Sequence, residues 1–115
     1  MSPESTPDRI LVVDDQEVNV QVLGSILGPL GFEIVPVTSG EQALRRLAAH
    51  PADLVLLDVL MPEMDGFEVC QKIRMQPHLN GIPIIFLSAA DDKAFLVRAL
   101  EAGAVDYVTK PFNQA

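Results

Sequence analysis

Five polar residues in this sequence stand at the ends of short apolar runs: Asp14, Asp15, Asp58, Ser88 and Lys110. Three carboxylates that lie close together cannot all stay ionised without a compensating cation, and an all-oxygen set with room for water suits Mg²⁺. A carboxylate can also act as a nucleophile and form an aspartyl phosphate. A metal ion, a lysine ammonium and a hydroxyl would neutralise the charge of the transferred phosphoryl group. The residue types therefore predict phosphoryl transfer to an aspartate, if the five side chains meet.

Whether they meet depends on the elements that carry them. Apolar runs and helical periodicities alternate along the chain. They predict strands at 9–15, 32–37, 54–57, 82–88 and 104–109 and helices at 16–30, 38–50, 67–75 and 91–102. Continuous apolar strands that alternate with helices favour an α/β fold with a parallel sheet covered on both faces. Ligands of such sheets bind outside the carboxyl ends of the strands, where the five residues would lie.

Local signals refine this prediction. Pro36 cannot donate a hydrogen bond to a neighbouring strand, so the second strand should lie at an edge of the sheet. Gly31 is a candidate C-cap of the first helix. Both Thr38–Glu41 and Ser39–Gln42 have capping-box spacing, which leaves two N-caps open for the second helix. Ser88 has N-cap spacing to Asp91, so by itself it would be interpreted as a helix cap.

Composition excludes several classes of protein. The chain has 115 residues, of which 49% are hydrophobic, so we expect one domain over residues 8–115 after a flexible tail at 1–7. Its formal charge of −8 disfavours direct binding to nucleic acids or anionic membranes. No apolar run approaches the roughly 20 residues of a membrane span, and the first ten residues lack the regions of a signal peptide. We therefore expect a cytoplasmic protein.

The sequence gives no catalytic role to its cysteine or its histidines. Cys70 is in register with Phe67 and Ile73 on a predicted helix face, which favours core packing. His50 and His78 show no ligand spacing and are interpreted as surface residues.

Four segments in their order and spacing resemble the response regulator receiver domain, the phosphoacceptor module of two-component signalling. They are VVDDQ at 12–16, LLDVLMPEMDG at 56–66, FLSA at 86–89 and DYVTKPF at 106–112. The resemblance covers residues 9–112. It implies a flavodoxin-like, doubly wound sheet of five parallel strands in the order 2-1-3-4-5.

The resemblance also implies roles for individual residues. Asp58 would accept the phosphoryl group, and Asp15 and Asp58 would bind Mg²⁺ directly, with Asp14 acting chiefly through water. The backbone carbonyl of Leu60 would be a further metal ligand. Lys110 would pair with the phosphoryl group, and Ser88 would donate a hydrogen bond to it. Tyr107 matches the aromatic switch position, whose ring moves inward as the Ser88 hydroxyl is drawn to the phosphate.

The predicted function is a phosphorylation-dependent switch that receives its phosphoryl group from a sensor histidine kinase or a phosphotransfer protein. It would catalyse only its own phosphoryl transfer and dephosphorylation. An output domain or partner protein would bind at the face of helix four and strand five. The chain could also form a homodimer. A receiver-like interaction module that is never phosphorylated is the open alternative. A phosphatase of the haloacid dehalogenase type would need a carboxylate where Leu60 stands, and a dinucleotide-binding domain would need a glycine-rich turn after strand one.

The end of the sequence raises one more expectation. Receiver domains have a fifth helix after the lysine-proline step, whereas only Asn113, Gln114 and Ala115 follow Phe112 here. We therefore expect a receiver domain that is truncated before its fifth helix.

Overall fold

Five short strands of almost continuous apolar sequence form one sheet in the computed structural model. It describes residues 8–59, 61, 63–88, 97–98, 101 and 106–109, and at residues 88 and 106–109 the description covers the main chain. The strands are β1 (Arg9–Val13), β2 (Glu33–Val37), β3 (Leu54–Asp58), β4 (Ile84–Ser88) and β5 (Asp106–Thr109). Every neighbouring pair is parallel, and the strand order is β2-β1-β3-β4-β5. The predicted doubly wound, flavodoxin-like sheet is confirmed.

Three helices cover the described part of the sheet: α1 (Glu17–Leu27), α2 (Gly40–Ala49) and α3 (Gly66–Arg74). Helix α1 was predicted to reach Leu30, but it ends at Leu27 and tightens into a 3₁₀ turn over Gly28–Leu30. Pro29 explains the difference, because it has no N–H for the helical hydrogen-bond ladder. Gly31 then stops the turn, with a left-handed φ of 96° and its N–H bonded to the Gly28 carbonyl at 3.0 Å.

The helices lie on opposite faces of the sheet because successive strand residues point to opposite sides. Val55, Leu57 and Phe86 belong to a core cluster with side chains of α2 and α3. Leu56 and Leu87 belong to a second cluster, on the side of α1. Both faces of the central strand β3 are therefore buried, and polar side chains can approach it only at its ends.

Two local predictions on the β2–α2 segment are decided by the structure. Strand β2, which contains Pro36, lies at the edge of the sheet and pairs only with β1, as predicted. Ser39 is the N-cap of α2, and its Oγ accepts a hydrogen bond from the Gln42 N–H at 3.2 Å. The Gln42 side chain in turn accepts from the Thr38 N–H at 3.0 Å. Of the two open capping boxes, the structure therefore uses the one at Ser39.

The predicted fourth helix, 91–102, lies mostly outside the described residues, although Val97, Arg98 and Glu101 are helical. The tail at 1–7 and residues 110–115 also lie outside them, as do residues 104–105 of the predicted fifth strand. None of the helices in the described ranges is long and apolar enough to cross a membrane.

One arginine fixes the connection from α3 to β4. The Arg74 Nη1 donates hydrogen bonds to the backbone carbonyls of Asn80 at 2.9 Å and Ile82 at 2.7 Å. Leu79, in the same turn, packs into the core below. The charged hydrogen bonds thus hold the chain just before it enters β4.

We expect Arg74→Ala to lower the free energy of unfolding by about 1–3 kcal/mol, because two backbone carbonyls lose a charged donor. Arg45→Ala, at an exposed position on α2, should change it by no more than about 0.5 kcal/mol. Denaturant unfolding of both variants measures the difference. Equal effects of the two substitutions would show that the Arg74 hydrogen bonds contribute little.

Candidate functional site

Two aspartates leave the sheet side by side at the carboxyl ends of β1 and β3. Val13 pairs with Leu57 in the parallel register, so the residues that follow them are Asp14 and Asp58. The Asp14 N–H donates to the Val37 carbonyl at 3.1 Å, which extends the ladder between β1 and β2 by one residue. Carboxylate oxygens of Asp14, Asp15 and Asp58 all lie within 4.8 Å of one another.

These carboxylates differ in their access to solvent. Asp14 is 0% exposed and Asp58 is 4% exposed, whereas Asp15 is exposed. Two like charges at about 4 Å repel each other by about 4 kcal/mol at the effective dielectric constant near a protein surface. Three hard oxygen donors at such spacing are the ligand type that Mg²⁺ and Mn²⁺ prefer. The residues present therefore fit a divalent cation.

A backbone group fixes the most deeply buried of the three carboxylates. The Gln16 N–H donates to Asp14 Oδ1 at 2.9 Å, and Gln16 is also the N-cap residue of α1. An aspartate that accepts from the backbone two residues later forms a local turn, which leads the chain from β1 into α1. Sequence reasoning missed this role of Gln16, although an aspartate two residues before the N-cap of a helix is a usable signal.

The start of α3 is packed against the main chain of Asp58. Gly66 donates its N–H to the Val59 carbonyl at 2.9 Å, and a Cβ at Gly66 would collide with the Asp58 carbonyl oxygen. Asp65 caps the helix, since its Oδ1 accepts from the Glu68 N–H at 2.9 Å. Only glycine permits this approach, so Gly66 helps to position Asp58. The sequence prediction began the helix at Phe67 and gave Gly66 no role beyond the loop.

The other predicted site residues are placed in part. Ser88 is the last residue of β4 and pairs with Thr109, while its neighbour Leu87 pairs with Asp58. The main chain of Ser88 therefore ends the strand next to Asp58. Tyr107 lies in β5 and pairs with Phe86 of β4. Lys110 and Leu60 lie outside the described residues.

Comparison of the chain with known protein families points to the same kind of site as the acidic residues at the ends of β1 and β3. The sequence model of the response regulator receiver domain matches residues 10–115. The chain belongs to this family. Its members act in two-component signalling, and the predicted resemblance is confirmed.

Similar proteins extend the comparison. The alkaline phosphatase synthesis transcriptional regulatory protein PhoP of Bacillus subtilis (strain 168) is 42% identical over 105 residues, which are 91% of this chain and 43% of PhoP. The receiver domain of a signal transduction histidine kinase from Syntrophus aciditrophicus is 40% identical, with a TM-score of 0.83 over 92% of this chain and 80% of that one. The Mn(2+)-bound form of response regulator Rcp1 is 26% identical, with a TM-score of 0.84 over 94% and 84% of the two chains. This receiver domain thus spans less than half the length of PhoP.

Phe67 of the receiver domain joins three elements behind the acidic residues. Its ring packs on Phe86 of β4, with ring centroids 5.0 Å apart and an angle of 56° between the planes. The Arg98 guanidinium lies over the same ring, 4.2 Å from its centroid, within the range of a cation–π interaction. The helical residues near Arg98 are therefore tied to α3 directly after Gly66.

The remaining nucleophilic and titratable residues discussed from the sequence lie away from this site. Cys70 is fully buried in the core, and its burial raises the pKa of the thiol, against a smaller lowering by the Arg74 charge. His50 and His78 are exposed, as predicted. The raised pKa keeps the Cys70 thiol protonated, as suits a packing residue.

We expect Gly66→Ala to destabilise the receiver domain by about 1–3 kcal/mol, because the added methyl group would meet main-chain atoms that cannot rotate away. Gly24→Ala is the matched control. It lies within α1, where a Cβ would meet no described atom within 4 Å, so it should stabilise the fold by roughly 0.5–1 kcal/mol. Thermal or denaturant unfolding measures the change in stability of each variant, which should be a decrease for Gly66→Ala and an increase for Gly24→Ala. A neutral Gly66→Ala variant would contradict the close approach to Asp58.

Proposed function

We propose that this receiver domain accepts a phosphoryl group on the carboxylate of Asp58, with Mg²⁺ bound among its acidic residues. The observation that carries the proposal is the convergence of three carboxylates within 4.8 Å at the carboxyl ends of β1 and β3. A permanent cluster of this kind would be a burden on stability unless a cation occupied it. A loss of folding stability from repulsion among these carboxylates is expected if they and the cation take part in the same reaction.

Asp58 is the best nucleophile of the three. Asp14 is completely buried, and the Gln16 N–H holds one of its oxygens. Asp15 lies beyond the end of β1 and is exposed. Asp58 ends the central strand between the ends of β1 and β4, so it has site residues on both sides. A phosphoryl group on Asp58 would therefore be surrounded by partners, as phosphoryl transfer requires.

The reaction is a direct displacement at phosphorus. An oxygen of the Asp58 carboxylate forms a bond to phosphorus as the bond from phosphorus to the donor breaks, and the electron pair stays with the leaving group. That group is the imidazole of a phosphohistidine or, with a small-molecule donor, the acetate of acetyl phosphate. The product is an acyl phosphate on Asp58. Ser88 would then donate a hydrogen bond to it and Lys110 would pair with its charge, roles that rest on the family resemblance.

The carboxylates of Asp15 and Asp58 and the backbone carbonyl of Leu60 would bind the metal directly, with Asp14 acting chiefly through water. Bound Mg²⁺ supplies positive charge against the carboxylates and the incoming phosphoryl group. The Mn(2+)-bound form of the similar regulator Rcp1 supports a divalent cation in this fold. Asp14 and Asp15 would hold and orient the cation, whereas Asp58 would both bind the cation and accept the phosphoryl group.

The partners follow from the same reaction. A histidine kinase or phosphotransfer protein would supply the phosphoryl group, and an output domain or partner protein would respond to it. The face of helix four and β5, with Tyr107 as its switch residue, would carry the response. The chain could also form a homodimer. The contact of Arg98 with Phe67, next to Gly66 and Asp58, supports a mechanical link from the acidic site to this face.

We expect acetyl phosphate to add one phosphoryl group to the chain in the presence of Mg²⁺ and none after chelation. Asp58→Asn should abolish the addition, because an amide oxygen is a poor nucleophile, whereas Glu41→Gln on α2 should retain it. Intact-protein mass spectrometry gives the count. If Asp58→Asn is labelled as fully as the parent, the assignment of the acceptor is wrong. If neither is labelled by acetyl phosphate or by any kinase, the non-phosphorylated interaction module becomes the better interpretation.

Metal binding can be tested without phosphorylation. Asp14→Asn and Asp15→Asn should each weaken Mn²⁺ binding by about tenfold or more, since each removes a negative charge next to the cation. Electron paramagnetic resonance of free Mn²⁺ measures the affinity, and Glu41→Gln serves again as the control. Unchanged affinity in both aspartate variants would place the cation elsewhere.

A further inference from the structure

Two hollows are lined by residues of α2 and α3 and of the segments next to these helices. The first, called here the acidic hollow, has a volume of about 150 Å³ and is lined by residues that include Glu41, Glu63 and Glu68. The second, called here the apolar groove, has a volume of about 400 Å³ and is lined by Leu44, Ala48, Lys72, Met75, His78 and Leu79, among others. On both helices the residues of the acidic hollow precede those of the apolar groove.

Several apolar side chains that line the groove are exposed or only partly buried. The predicted stripe of α2 divides in the structure, because Ala43 and Leu47 are fully buried whereas Leu44 is half-buried and Ala48 is exposed. Met75, at the end of α3, is 78% exposed. Exposed apolar side chains that line one groove, as Ala48 and Met75 do, are typical of an interaction site.

Charge distinguishes the two ends of this surface. The acidic hollow has three carboxylates, whereas none of the described residues that line the apolar groove is acidic. Lys72 supplies a positive charge at the groove and His78 a hydrogen-bond donor, although the chain as a whole carries a formal charge of −8. Some of these charges also complement the dipoles of their own helices. That role does not account for the exposed apolar side chains between them.

We propose that the acidic hollow and the apolar groove together dock an amphipathic helix of a partner protein. The helix would carry basic side chains at one end, an apolar stripe in the middle and a carboxylate at the other end. A groove between two helices suits a third helix, and an exposed methionine adapts to different apolar partners. The groove volume lies within the range of about 300–1,000 Å³ that ligand sites have. The opposite charges fix the direction of the bound helix.

The test uses three synthetic helical peptides with the same apolar stripe. The mixed peptide has lysines at one end and glutamates at the other, the second peptide has lysines at both ends, and the third has glutamates at both ends. Amide chemical shifts of the ¹⁵N-labelled receiver domain locate each peptide and give its affinity at about 0.15 M salt, where long-range attraction to the net charge is screened. The variants are Met75→Gln and Lys72→Glu. Their controls are Val18→Gln, at an exposed apolar residue of α1, and Arg46→Glu, outside the lining of the groove and with the same change of charge.

We expect the mixed peptide to bind saturably, to shift the amides of Leu44, Lys72 and Met75, and to bind more tightly than the glutamate peptide. Met75→Gln should weaken it by about fivefold or more, and Val18→Gln should not. Lys72→Glu should shift the preference from the mixed peptide toward the lysine peptide by about fivefold, and Arg46→Glu should not.

Three results would overturn the proposal. The first is the absence of saturable binding, or binding centred on α1 or on the acidic site at the strand ends. The second is an equal effect of Lys72→Glu and Arg46→Glu, which would reduce the charge preference to net charge. The third is concentration-dependent dimerisation that Met75→Gln abolishes, because the occupant of the groove would then be a second copy of the chain.

Discussion

The repulsion among Asp14, Asp15 and Asp58 is the constraint on which the site depends. Parallel pairing of β1 with β3 brings together residues that are more than forty positions apart in the sequence, and it does so at the edge of the sheet formed by the carboxyl ends of the strands. Burial makes the like charges more costly than they would be on an open surface. The fold therefore brings together three carboxylates that fit a cation. Under the proposed function, that cation would offset their negative charge when a phosphoryl donor approaches.

The supporting contacts are made mainly by the backbone. The Gln16 N–H holds Asp14, and the close approach at Gly66 sets the start of α3 against Asp58. Main-chain groups cannot change rotamer, so they hold the carboxylates more rigidly than long side chains would. Phe67, one residue later, carries this rigid arrangement to Phe86 and Arg98. A change in the position of Asp58 can thus displace the helical residues near Arg98, because Gly66 and Phe67 link the two by direct packing.

The sequence predicted the parts of the structure that depend on local patterns. Alternating apolar runs gave the α/β class, Pro36 gave the edge strand, and the acidic residues at strand ends gave the candidate site. The strand order came from the family resemblance, because the periodicity of one strand does not determine its neighbour. The predicted end of α1 was wrong by three residues, because the apolar spacing continues to Leu30 although Pro29 has no N–H for the helical hydrogen-bond ladder. Gly66 and the Gln16 N–H were missed because their roles arise from contacts of the folded main chain.

The site proposed for phosphoryl transfer and the surface proposed for recognition lie on different parts of the receiver domain. The carboxylates stand at the strand ends, where the sheet fixes their geometry. None of the described residues that line the apolar groove belongs to this carboxylate cluster. The acidic hollow still borders the loop that leads from β3 to α3, since Glu63 and Met64 line it. A helix bound in both hollows would therefore contact the segment between Asp58 and Gly66, which would link binding on this face to the proposed phosphoacceptor.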